Sequence, residues 1–145
     1  VSYSATLQNI QTLAKKLFDA DDIVEVRCIK ERQIVKRWSL AASLSQMAGE
    51  LWELNQQGYN IYYGVNPRTA HGKSGDTHVL LARCLFCDFD NIEPGDGCGR
   101  WEFVYTDLFI AGLPEPTLGV TSGHGIHVYW RLAEPITDLA AWRKI

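Results

Sequence analysis

Apolar residues recur at helical spacing near the start of the chain. Leu7, Ile10, Leu13, Ala14 and Leu17 form one stripe of a helix predicted over residues 4–19. Two alternating runs follow, 23–29 and 33–40, and the charged triplet Lys30-Glu31-Arg32 between them predicts a hairpin. A second helix is expected over 42–57, with Leu44, Met47, Leu51 and Leu54 inward and Gly58 ending it. Runs rich in β-branched and apolar residues predict strands over 60–65, 79–90, 117–121 and 126–132, around a third helix over 99–111. This order reads as α+β, with helices packed on a mostly antiparallel sheet.

Composition narrows the class. With 145 residues, 46% of them hydrophobic, the chain can bury a core, and it reads as a single domain over 1–145. No stretch approaches the roughly 20 apolar residues of a membrane span, and no signal-peptide pattern opens the chain. A cytoplasmic protein with no membrane partner is the expectation. The net charge of -3 weighs mildly against strong nucleic-acid binding, which normally uses a basic surface. Arg27, Lys30, Arg32, Lys36 and Arg37 nevertheless gather on the predicted hairpin, either as a DNA-facing patch or as an ordinary solvated face.

The most informative chemistry lies in the second half. Cys87-Asp88-Phe89-Asp90-Asn91 ends an apolar strand, and alternation places Asp88 and Asp90 on one face. Two carboxylates held that close repel unless a divalent cation lies between them. The plainer alternative is a turn-forming pair that closes the strand. Further on, Ser122, Gly123 and Gly125 make a small-residue turn whose backbone N–H groups could approach a phosphate, and His127 opens the strand after it. There His127, Tyr129 and Arg131 share one face and Val128, Trp130 and Leu132 the other, so Trp130 is expected in the core. For His127 the alternative is a core histidine satisfied by backbone.

Three other features are weaker. Arg68 closes an Asn66-Pro67-Arg68 turn, from which a fixed guanidinium would reach a phosphate or a template, or would simply be solvated. Gly72-Lys73-Ser74 fails as a P-loop, because the position requiring the first glycine is Pro67; the composition of residues 69–77 suggests a mobile loop. Cys84 and Cys87 have the spacing of a zinc knuckle, with Cys98 as a further ligand. A strand would turn Cys84 and Cys87 to opposite faces, which favours free thiols.

Tyr62-Tyr63-Gly64-Val65-Asn66-Pro67-Arg68, then Asp88-Phe89-Asp90, then Ser122-Gly123-His124-Gly125-Ile126-His127-Val128-Tyr129-Trp130, resemble in order and kind the archaeo-eukaryotic primase superfamily. The resemblance is to primase-polymerase domains of plasmid, phage and CRISPR-associated replication proteins, and covers residues 24–135. It implies an RRM-like catalytic core and a template-dependent nucleotidyl transferase that uses NTP or dNTP with Mg2+ or Mn2+ on a DNA template and primer. Asp88 and Asp90 would then be the metal-binding motif and, with His127, the catalytic residues. Ser122, Gly123, Gly125, His127 and Arg68 would bind the nucleotide. His127 is preferred to His124 because it stands at the start of the strand.

A third metal-binding aspartate, which the family carries downstream, has no counterpart up to Ile145, since Asp138 reads as the cap of a helix starting at Leu139. The chain is therefore expected to be the N-terminal part of a longer catalytic domain, inactive alone, with a helicase or other replication domain downstream. The alternatives are a catalytically silent nucleotide- or nucleic-acid-binding module and a rolling-circle nicking endonuclease. The latter needs two histidines on one strand face, which the spacing of His124 and His127 opposes.

Overall fold

The computed structural model describes residues 2–90, 99–121 and 125–144, with the backbone alone at Asp90, Gly99 and Arg100. The chain divides into two compact units, Val1–Arg83 with Glu134–Ile145, and Cys84–Ala133. The α+β class holds, with four helices and two small antiparallel sheets where the sequence suggested one. No described helix is long and apolar enough to cross a membrane.

In the first unit, helix α1 (Tyr3–Leu17) begins where the Ser2 hydroxyl accepts the Ala5 N–H at 3.2 Å. It ends at the buried pair Leu17 and Phe18. Strands β1 (Ile23–Lys30) and β2 (Gln33–Leu40) form the expected hairpin, with Lys30 opposite Gln33 and a two-residue turn between them. The expected second helix is two elements. Leu40 offers no capping side chain, and the N–H groups of Ala41 and Ala42 bond back to the carbonyls of Asp22 and Ala20. A 3-10 helix (Ala41–Met47) results, and only then α2 (Ala48–Gln56), which Gly58 terminates at φ 89°.

Strand β3 (Asn60–Tyr63) pairs with β1, giving the order β2-β1-β3. The chain continues along β1 with Gly64 N–H on Glu25 O and Arg68 N–H on Ile23 O. Pro67 has no N–H to give, and the regular ladder stops at Tyr63. Alternation along β1 buries Val24, Val26 and Cys28 on one face of the sheet and leaves Glu25, Arg27 and Ile29 on the other. This splits the expected basic patch. Arg37, opposite Val26, pairs with Glu50 of α2, and Lys30 donates to Gln57 O. Arg27 and Lys36 are cross-strand neighbours on the opposite face.

The second unit holds most of β4 (Ala82–Asp90) and β6 (Gly125–Ile136), together with α3 (Gly99–Ile110) and β5 (Leu118–Thr121), in the sheet order β4-β6-β5. Val104 and Leu108 of α3 bury against Ile126 and Val128 of β6, with Phe89, Trp101 and Trp130 packed around them. Trp130 therefore joins the core as expected, its indole N–H donating to Pro114 O at 2.7 Å. The last helix, α4 (Leu139–Trp142), belongs to the first unit and starts at Asp138, whose carboxylate accepts the Ala140 and Ala141 N–H groups.

Gly119 shows how closely the second unit is packed. A Cβ at this position of β5 would overlap the six-membered ring of Trp101. Gly119→Ala is therefore expected to destabilise this unit by about 1–3 kcal/mol, because a ring already packed on the core must move. Urea unfolding followed by Trp fluorescence reads this, and wild-type stability in the variant would refute it.

Candidate functional site

Two elements bring the main candidates together. On β4, Phe86 and Asp88 share a face. On β6, His127 and Tyr129 share theirs, while Ile126 and Val128 turn to the α3 core. His127 Nε2 lies 3.1 Å from Asp88 Oδ1, and His127 Nδ1 lies 3.3 Å from the Tyr129 hydroxyl. Phe86 and Tyr129 stack with ring centroids 6.4 Å apart. The imidazole is thus held at both nitrogens, by a carboxylate on one side and a buried phenol on the other. That arrangement fixes the ring's orientation and couples its tautomer to its neighbours.

The outer end of this chain is open. Asp88's side chain is 46% exposed and His127's 28%, whereas Tyr129 is 4% exposed. A ligand can reach the carboxylate and the imidazole edge, while the phenol acts from behind. Asp90 is the last residue of β4, and its side chain lies outside the described residues, as do Ser122, Gly123 and His124. Gly125 is the buried first residue of β6. The Asp88 oxygens are hard, accessible donors, and imidazole is not a preferred ligand of Mg2+. Of the described candidates, the Asp88 carboxylate is the donor type that Mg2+ or Mn2+ takes. Among the described residues no group of three or more His, Cys, Asp and Glu gathers for a metal ion.

Arg68, in the first unit, is turned inward. Its Nη2 makes a 2.8 Å ion pair with Glu25 Oε2, and its Nη1 donates to Gly75 O at 3.1 Å. Glu25 has no exposed surface and also accepts from Arg27 Nε at 2.8 Å and from the Ser74 hydroxyl at 2.6 Å. Burial pushes the Glu25 carboxyl pKa up. Hydrogen bonds from Arg27 and Ser74, with the charges of Arg68 and Arg27, outweigh that and hold it below its ordinary value. These bonds, with Trp38 Nε1 on Lys73 O at 2.8 Å, fasten residues 73–75, which the sequence read as part of a mobile loop.

Sequence reading passed over Glu25, since one glutamate in Val24-Glu25-Val26-Arg27 looks like a solvent position. It also passed over Asp22 and Arg83. Asp22 is buried and bound in bidentate fashion by Arg83, which reaches Asp19 as well. Cys84 is buried and Cys87 exposed, on opposite faces of β4; Cys98 is outside the described residues. No protein-family model matches the chain, and no curated protein or solved structure is significantly similar to it.

Proposed function

We propose that the chain carries the nucleotide- and metal-binding part of a template-dependent nucleotidyl transferase of the primase-polymerase type, acting on NTP or dNTP along a DNA template and primer. The observation that carries this reading is the Asp88–His127 contact, which joins an accessible carboxylate and an oriented imidazole on neighbouring strands. Asp88 and Asp90 would hold Mg2+ or Mn2+, which when bound supplies charge neutralisation for the triphosphate and the leaving pyrophosphate.

With Tyr129 holding its far nitrogen, His127 would turn its Nε2 from Asp88 to a phosphate oxygen once that carboxylate is engaged by the metal. Ser122 and Gly123, ahead of β6 in sequence, would offer backbone N–H groups to the same triphosphate, while Gly125 is the buried first residue of that strand. Arg68, committed to Glu25, supports the fold of the first unit in this reading.

The test is titration of a fluorescent dNTP with and without Mn2+. Asp88→Ala is expected to abolish the Mn2+ enhancement of binding. His127→Ala should weaken binding roughly tenfold or more, the range of one charge-assisted hydrogen bond, at an unchanged melting temperature. Equal affinities for wild type and both variants would sink the proposal. Mn2+-dependent binding without primer extension would assign a silent nucleotide-binding module instead.

A further inference from the structure

The face of the β2-β1-β3 sheet opposite Val24, Val26 and Cys28 carries a row that the register fixes. Lys36 of β2, Arg27 of β1 and Tyr62 of β3 are direct cross-strand neighbours. Next to them, Ile34 and Asn60 flank Ile29. At the other end of the face the 73–75 segment covers Glu25 and bonds Trp38. The uncovered part is unusual for a solvent face: Tyr62 is 47% exposed and Ile34 56% exposed, beside an exposed Lys36 and a part-exposed Arg27.

Like charges directly opposite each other on a sheet are unfavourable. Arg27 donates two hydrogen bonds to Glu25, a carboxylate it shares with the Arg68 cation, and Asp76 adds charge alone, so two guanidinium groups and Lys36 face these two acids. Among the described residues, Lys36 donates only a long, 3.4 Å hydrogen bond to Ser74, a neutral partner. The row thus presents excess positive charge next to an open aromatic ring.

We propose that this face binds single-stranded nucleic acid, with an unpaired base stacked on Tyr62 and the backbone phosphates on Lys36 and Arg27. Stacking tolerates any base and needs one that is not already paired, while the cations track the phosphates. A duplex hides its base faces and could use the cations alone. The surface belongs to the first unit, whereas Asp88 and His127 belong to the second. It rests on the nucleotidyl-transfer reading only for the strand's role as template.

The experiment is fluorescence anisotropy with a short labelled oligo(dT), in metal-free buffer without nucleotide, against wild type, Tyr62→Ala, Tyr62→Phe, Lys36→Glu, Asp88→Ala and Lys16→Glu. The last makes the same charge change on an exposed position of α1. Tyr62→Ala is expected to weaken binding about tenfold or more, and Lys36→Glu to weaken it and flatten its salt dependence by about one ion. Tyr62→Phe, Asp88→Ala and Lys16→Glu should stay near wild type. Tyr62→Phe and Lys36→Glu together carry the test if Tyr62→Ala fails to fold. No binding of oligo(dT), an equal loss in Lys16→Glu, or equal affinity for duplex would overturn the proposal. Because Asp88→Ala leaves this assay unchanged, a failure here is separate from a failure of the nucleotide site.

Discussion

Glu25→Gln is expected to lower the stability of the first unit by about 3–5 kcal/mol, the range for removing one partner of a buried ion pair. Gln keeps the shape and can still accept from Ser74, so the loss isolates charge. Arg68, 8% exposed, would be left with a carbonyl partner and no counter-ion. The same carboxylate sets an acid limb. Its folded pKa lies below its ordinary value, so the unfolded state takes up the proton first as pH falls. The stabilisation from Glu25 is complete above the unfolded value and is lost as pH falls through the folded one. Urea melts across the acid range should show this slope in wild type and its reduction in Glu25→Gln. A variant within 1 kcal/mol of wild type, or an unchanged acid slope, would show that the network contributes little.

Arg83→Met should cost about 3 kcal/mol by the same physics applied to another pair. Met retains much of the side-chain volume but leaves Asp22 buried, its side chain 3% exposed, with the Asp19 N–H at 2.8 Å still donating. Adding Asp22→Asn should recover part of the loss, because a neutral amide is cheaper to bury than an unpaired carboxylate. A double-mutant cycle measures the coupling directly. Strictly additive effects of the two substitutions would deny that the pair acts as a unit.

How much of this could be read in the chain depends on the range of the interaction. The α1 stripe, the hairpin, the Gly58 stop, the Asp138 cap and the alternation of β6 follow from neighbours a few residues apart, and all appear where expected. Asp88 and His127 were each legible as polar residues at the end of an apolar strand, but the neighbouring places of β4 and β6, which bring the two into contact, were not. Glu25 was not, because its burial depends on Ser74 returning 49 positions later in sequence. Nor was the inward course of Arg68, which depends on that same carboxylate. The second helix divided because its first N–H groups found carbonyls in the α1–β1 turn, a tertiary bond that no helical periodicity encodes.

The hairpin turn has a consequence for what this chain can absorb by mutation. Lys30 and Gln33 are paired, and Glu31 takes φ 52°, a left-handed backbone that Asn or Gly adopts more easily. Substitution at residues 31 and 32 is therefore open to variation, and Glu31→Gly or Glu31→Asn should be neutral or favourable. A one-residue insertion or deletion there is different in kind. If it slipped the β1–β2 register by one, it would drive a charged row toward the helices and lift Val24, Val26 and Cys28 into water. Divergent versions of this hairpin should differ freely in the identity of the turn residues and hardly at all in their number.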